Sequence, residues 1–334
     1  MSETSKIVIA SSSFDELTYG PVQQKLEDAG HEVVVYKTDR VFTGEDEFTV
    51  SYHNSHLRIT YNDTDISPDQ VGALWYRKIA GFSVGPGPGN IAKQLHFNNE
   101  LRSLHDTIWS LYPKDRWLNS PDAMRVADRK IGQLMLAHEI GFEVPKTVIS
   151  SSWSKIDEEL RCKPEDEIIV KMLRGIFSEG SKLKAMFTTV LNKEKLQELY
   201  DTTTPFPGVY QPYIAKKREW RITVVGNQVF PAAIITTSEA KDDWRKLQQT
   251  PSVLFQRGEI SNTISARCIN YLSALGLKYG AFDFIATDQG DMVFLECNPN
   301  GQYGWLEDQL GLPISNAISS ELSNIAKINR ANRS

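Results

Sequence analysis

The stretch AFDFIATDQGDMVFLECNPNGQ, residues 281–302, decides the fold. Two apolar runs, Ala281 to Ala286 and Met292 to Glu296, flank Thr287-Asp288-Gln289-Gly290-Asp291, a segment whose Gly and Asp residues suit a tight reversal. The pattern predicts an antiparallel hairpin. Side chains alternate across a strand, so Glu296 and Asn298 share one face, Cys297 takes the other, and Asp283 reaches the first face from the partner strand. Two carboxylates and an amide carbonyl then converge as hard oxygen donors, the ligand chemistry that Mg2+ prefers. A surface hairpin with ordinary solvated acids is the competing reading of the same residues.

Working outward, 334 residues suffice for two or three domains with their own cores. Hydrophobic residues at 40% and charged residues at 24% are ordinary globular values and exclude a disordered or fibrous class. A net charge of -5 gives no support to a sequence-independent nucleic-acid binder, which needs a basic excess. The basic cluster Lys216-Lys217-Arg218 reads as a solvated charge run, with contact to phosphates or an acidic substrate as the alternative. Three cysteines, Cys162, Cys268 and Cys297, lie far apart without metal-ligand spacing, which fits a reducing compartment. The N-terminus lacks a signal-peptide pattern, and no run approaches the roughly 20 apolar residues of a membrane span. The expectation is a cytoplasmic protein that binds neither membrane nor nucleic acid. The scattered histidines, of which only His53 and His56 are close, read as surface residues rather than zinc ligands.

The chain opens as strand, helix, strand over residues 6–10, 21–30 and 31–36, a unit of parallel α/β sheets. The intervening loop, Ala10 to Asp15, has no Gly-x-Gly-x-x-Gly, so a dinucleotide site is not expected there. A strand pair over 48–61, a buried strand over 71–76 ending at Arg77 and Lys78, and a long helix over about 91–111 complete this part. Further on, Ser120-Pro121 marks a helix start and Asp128 is expected to cap a helix from Lys130 to Glu139. Strands at 147–150 and 167–173, helices near 154–160 and 193–200, strands at 219–225 and 228–235, a helix near 261–275 and a final helix from about Ile314 follow.

Several residues carry candidate chemistry. Lys171 sits in the apolar strand EIIVKML, where an ammonium is costly unless an anion neutralises it; snorkelling to solvent at an edge is the alternative. Lys130 occupies a first helical turn, a position usually facing solvent. Gln211, Pro212, Tyr213 and Ile214 lie in a proline-interrupted apolar segment whose backbone groups, partly freed from sheet pairing, suit an adenine edge. Glu219 and Arg221 share a strand face, and arginine's fork matches a phosphoryl or acyl-phosphate oxyanion; an exposed cross-strand ion pair is the plainer alternative.

The order Lys130, Lys171, 211–214, Glu219 with Arg221, then Asp283, Glu296 and Asn298 resembles the ATP-grasp superfamily. In that superfamily two lysines hold phosphates, a hinge strand reads adenine, and an Asp/Glu/Asn set binds two Mg2+. The segments LNSPDAMRVADRKIGQLMLAHEIGFEVPKTVIS, REWRITVVGNQVFPAAI, DDWRK, YGAFDFI and ECNPNGQYGWLEDQLGLPISNAI resemble the microviridin-type graspetide synthetases, and WYRK at Trp75 to Lys78 resembles their pre-ATP-grasp domain. The resemblance spans nearly the whole chain.

It implies an α/β protein of α+β ATP-grasp type. A pre-ATP-grasp α/β domain would occupy 1–116, a central ATP-grasp N-terminal subdomain 117–205, and a C-terminal subdomain with an antiparallel sheet 206–330. It also implies ATP and two Mg2+ as cofactors, and a ribosomal precursor peptide with its leader as partner. Side chains of that peptide would be joined through an acyl phosphate into macrocyclic esters or amides, and a homodimer is compatible with this group. The usual glycine-rich flap is replaced by RGIFSEGSKLKAMF, in which Arg174, Ser178 and Lys182 are candidate phosphate contacts. Two alternatives are a ligase that joins an amino acid to a protein tail or small molecule, and a non-catalytic binding module.

Overall fold

The computed structural model describes residues 6–79, 90–160, 167–171, 173, 176–179, 182–185, 188–192, 194–195, 198, 208–236 and 253–331. Its first unit is a parallel sheet. Strand β1 (Lys6–Ser11) runs into helix α1 (Glu16–Asp28), strand β2 (Val33–Lys37) and helix α2 (Thr38–Thr43), then a hairpin of β3 (Phe48–His53) and β4 (His56–Tyr61) joined by the short β5 (Thr64–Asp65). Strand β6 (Val71–Tyr76) returns beside β1 to give the order β2-β1-β6, and helix α3 (Asn90–Ser110) follows. Both faces of β1 are buried, Ile7 and Ile9 in one core and Val8 and Ala10 in another, as a near-continuous apolar run in a parallel strand demands.

Helix α1 begins five residues before the expected start at Pro21, which lies inside it. The ring removes only the N–H that would have bonded the Leu17 carbonyl, and packing of Tyr19, Val22 and Leu26 into the core outweighs that single loss. Helix α2 was not expected at all. The strand pair over 48–61 and the strand over 71–76 agree with expectation.

Helices α4 (Pro121–Ala127) and α5 (Lys130–Ile140) come next. Ser120 caps α4 by accepting a hydrogen bond from the Ala123 amide, as its Ser-Pro signature predicts. Asp128, however, ends α4 rather than capping α5, whose N-cap is Arg129 with no side-chain cap bond. The two helices are too close for Asp128 to lie outside the first. Strand β7 (Val148–Ser150), helix α6 (Trp153–Leu160), strand β8 (Ile168–Lys171), the hairpin β9 (Ile176–Glu179) and β10 (Lys182–Ala185), strand β11 (Thr189–Leu191) and strand β12 (Gly208–Pro212) complete the middle of the chain. Four of these strands form a sheet in the order β11-β8-β12-β7. Arg174 and the Ser178 and Lys182 side chains lie outside the described residues, as do DDWRK and most of the helix expected over 193–200.

The largest sheet is antiparallel. Strands β13 (Arg218–Val225), β14 (Gln228–Thr236) and β15 (Val253–Arg257) precede helix α7 (Asn262–Ala274), and the expected hairpin is β16 (Tyr279–Ala286) with β17 (Met292–Asn298). The order is β15-β14-β13-β16-β17. Helices α8 (Gly304–Leu310) and α9 (Ile314–Ala331) then carry the chain back, and α9 packs on β6 and α1 through Ile314, Ile318, Leu322 and Ile325. One core thus spans the N-terminal sheet and the end of the chain. No helix among the described residues is long and apolar enough to cross a membrane.

Candidate active site

Strand register lines up three charged residues. Arg221 pairs with Asp283 across β13 and β16, and Asp283 pairs with Glu296 across β16 and β17, giving one transverse row over three neighbouring strands. Asn298 lies two residues beyond Glu296 and opposite Ala281. Strict alternation would put Glu296 on the side of Phe294, which is fully buried in the apolar core. The ladder avoids this: Phe284 pairs with Phe294 while Asp283 pairs with Glu296, so Leu295 is an extra residue, a bulge. The bulge resets the alternation and turns Glu296 out of the core, the re-aiming for which bulges beside functional sites are known. The Asp283–Glu296–Asn298 set expected from sequence is therefore assembled.

Each carboxylate has a cationic partner. Arg221 donates from one terminal nitrogen to both Asp283 oxygens, at 2.8 and 2.9 Å, and from the other to the Gln302 carbonyl at 3.3 Å. Burial opposes the Arg221 charge, but Asp283, by charge and by hydrogen bond, outweighs it and raises the guanidinium's pKa. Its Nε is buried without a hydrogen-bond partner. Lys130, the first residue of α5, donates its ammonium to Glu296, both side chains being about 30% exposed.

Sequence reading gave no role to the residues that hold this row in place. Gln133, one turn after Lys130, donates to the Cys297 carbonyl at 3.1 Å and accepts from the Cys297 amide at 3.0 Å, so its side chain acts as a ladder partner for the outer edge of β17. Asn119 donates to the carbonyls of Tyr279 and Pro299 and accepts from the amides of Lys278 and Tyr279. At Gly301 a β-carbon would stand 2.5 Å from that of Ala281 and 2.8 Å from the Arg221 guanidinium, so the loop closes over the row only with glycine there. The one available signal was a buried-type Asn or Gln inside an apolar context.

Glu219 has a partner other than Arg221: Lys216 donates to it at 2.7 Å, with both side chains nearly buried. Lys216 is thus no solvated charge, since Glu219 offsets the cost of its burial. Lys171 ends β8 in the other sheet, opposite Val209 of β12. The hinge segment is more fully paired than expected. Gln211 and Pro212 are in register with Ile169 and Ile168, and the Tyr213 amide donates to the Glu167 carbonyl at 2.8 Å, while Ile214 lies beyond the strand. The Gln211 side chain donates to Thr147 at 2.8 Å, but its carbonyl oxygen is buried without a partner. Lys171, Gln211 and Pro212 therefore lie in the four-stranded sheet with Tyr213 and Ile214 just beyond it, and Arg221, Asp283, Glu296 and Asn298 lie in the five-stranded sheet, where Lys130 reaches Glu296 from α5.

Among the described residues no three His, Cys, Asp or Glu side chains gather as a metal cluster. The candidate set consists of two acids and an amide, all oxygen donors. These donors fit Mg2+ better than a softer metal. The orphaned Gln211 carbonyl fits an amine donor such as the one adenine carries.

Residues 6–125 match the MvdD pre-ATP-grasp domain family, and the fold of the whole chain is similar to that of solved ATP-grasp ligases that act on ribosomal peptides. The chain is similar to the crystal structure of macrocyclase MdnC bound with precursor peptide MdnA from Microcystis aeruginosa MRC, at 28% identity and TM-score 0.80, covering 96% of this chain and 99% of that one. It is equally similar in fold to a Chryseobacterium gregarium RiPP-associated ATP-grasp ligase in complex with ADP and a leader and core peptide, at 26% identity and TM-score 0.80, covering 96% of each chain. Macrocyclase MdnB from Microcystis aeruginosa MRC matches at 26% identity and TM-score 0.73, over 95% of this chain and 98% of that one. No curated protein matches the chain in sequence.

Proposed function

We propose that the protein uses ATP to activate a side-chain carboxylate of a ribosomal precursor peptide and then closes a macrocyclic ester or amide within that peptide. The observation that carries this reading is the row Arg221–Asp283–Glu296 with Asn298 beside it, on a fold shared with macrocyclase MdnC. A substrate carboxylate oxygen attacks the γ-phosphorus, the bridging P–O bond breaks, and ADP leaves with its electron pair. A Ser or Thr hydroxyl or a Lys amine then attacks the acyl carbon, loses its proton and expels phosphate. Asp283, Glu296 and Asn298 would hold two Mg2+, which supply charge neutralisation to the transferring phosphoryl group.

Lys130 and Lys171 approach phosphates in this reading, and Gln211, Pro212, Tyr213 and Ile214 receive the adenine. Arg221 holds Asp283 and directs its guanidinium at developing negative charge, where a preorganised donor acts most strongly; Glu219, tied to Lys216, shapes the same strand face. The pre-ATP-grasp region over 1–116 and the subdomains over 117–205 and 206–330 follow the resemblance. No enzyme nucleophile is needed. Burial pushes the Cys297 thiol well above its ordinary pKa, which keeps it protonated.

The test is mass spectrometry of a precursor peptide, encoded beside this gene and carrying Ser, Thr or Lys with Asp or Glu, after incubation with the protein and Mg-ATP. Loss of one water per cross-link with matching ADP release is expected. ADP release without water loss, accompanied by mass gain from an added amino acid, would replace macrocyclisation by tailing.

A further inference from the structure

Arg77 is 1% exposed, and a buried guanidinium is tolerated only when its donors are satisfied. Its Nε donates to Asp15 at 2.9 Å, one terminal nitrogen donates to the Asn300 carbonyl at 2.9 Å, the Asn300 side-chain oxygen at 2.8 Å and the Gly301 carbonyl at 3.2 Å, and the other donates to Gln302. Only the first contact lies within the N-terminal unit. The others all reach residues 300–302, the loop that leaves β17 immediately after Asn298. Asn300 answers by donating its amide NH2 to the Arg77 carbonyl, and Gln302 is also engaged by Thr18 and Asp15. A staple between two units would need contact anywhere along their border; this one is concentrated next to a candidate metal ligand.

The loop passes that placement on. The Asn300 backbone amide donates to the Asn298 side-chain oxygen at 2.9 Å, which fixes the rotation of the Asn298 amide while leaving that oxygen a second lone pair. We infer that Arg77 is a positioning residue for the metal site: through Asn300 it sets the Asn298 amide oxygen toward the position that Asp283 and Glu296 also face. This rests on the ligase reading above and adds to it a role for the N-terminal unit, whose arginine orients a ligand that belongs to the C-terminal sheet. Outer partners of this kind typically change metal affinity by about 10- to 100-fold when removed.

The experiment measures binding rather than turnover. Mn2+ is titrated into the full-length protein with ADP, and free Mn2+ is followed by electron paramagnetic resonance, for wild type, Arg77→Lys, Asn300→Ala, Asn298→Ala and the Asn298→Ala/Asn300→Ala double variant. Lysine keeps the charge of Arg77 but has no fork. Arg77→Lys and Asn300→Ala are each expected to weaken Mn2+ binding about tenfold, and the double variant is expected to bind no more weakly than Asn298→Ala alone, because coupled residues are non-additive. Wild-type Mn2+ affinity in a folded Asn300→Ala, or additive losses in the double variant, overturns the role. If Arg77→Lys does not fold, Asn300→Ala decides alone, since it keeps the arginine. A wild type that takes up no Mn2+ with ADP overturns the metal reading itself, and the positioning role with it.

Discussion

On one face of the five-stranded sheet Trp220, Ile222, Phe282, Phe284, Phe294 and Cys297 pack with Phe142, Tyr271 and Leu272 into a dry core. On the other, Arg221, Asp283 and Glu296 stand in a row across the same strands. The same backbone ladder sets both, so the positions of the charges are as rigid as the packing behind them. Phe142, Phe284 and Phe294 lie with ring centroids 5.2–5.7 Å apart, directly behind the row. The difference teaches where precision comes from: the charged face has little packing of its own and borrows its geometry from the apolar one.

The separation depends on Leu295 standing outside the ladder. Deleting Leu295 makes Phe294 and Glu296 neighbours in sequence, and strict alternation alone then places them on opposite faces, so the deletion is expected to fold cooperatively with Phe294 in the core and Glu296 opposite Asp283. A protein that no longer unfolds cooperatively would mean that the bulge does more than keep the two faces apart.

Substitutions confined to one face should show opposite signatures. Glu296→Gln removes a charge from the row while keeping its shape; Mg2+-dependent ADP formation is expected to fall by about three powers of ten or more, with thermal unfolding close to wild type. Unchanged turnover in the folded variant removes Glu296 from the site. Phe284→Ala should do the reverse, losing about 3–5 kcal/mol in denaturant unfolding while the folded fraction still binds nucleotide. Loss of nucleotide binding at full stability would show that the faces are not separable in this way.

Arg221→Lys probes the junction of the two, because Arg221 is nearly buried yet belongs to the charged row. Lysine retains charge but cannot span Asp283 and the Gln302 carbonyl together. Ring closure should slow by about two to three powers of ten with ATP affinity little changed, the pattern of an interaction made chiefly in the transition state. A variant that closes rings at the normal rate, or fails only through loss of ATP binding, removes the catalytic assignment.

These contrasts also explain what the sequence disclosed. The hairpin, its turn and the shared face of Glu296 and Asn298 were legible because strand periodicity is local. The Leu295 bulge was not, since LEC reads the same with or without an unpaired residue. Arg77 lies 223 residues before Asn300, and Gln133 lies 164 before Cys297; such polar contacts leave no spacing to read, because the fold alone brings them together. Pro21 misled for a related reason: local propensity argues for a helix start there, and burial of Tyr19 and Val22 on either side overrides it. The pairing of Lys216 with Glu219 was within reach of sequence, three residues apart, but a run of basic residues suggested solvent.

Cys297 offers the mildest test, and it lies between Glu296 and Asn298. Adjacency to two candidate metal ligands invites a chemical role, yet its side chain belongs to the apolar face, in the core with Cys268 and Tyr271. Burial is the main reason its thiol resists ionisation, and a protonated thiol is a poor nucleophile and a poor metal ligand. Cys297→Ala should therefore leave ring closure within about twofold of wild type while costing about 1 kcal/mol of stability for the small cavity it opens. Thiol-directed reagents should likewise leave Cys297 unmodified in the folded protein and react only on unfolding. A variant of normal stability with lost activity would place Cys297 on the reactive side and dissolve the distinction between the faces at the one residue where they come closest in sequence.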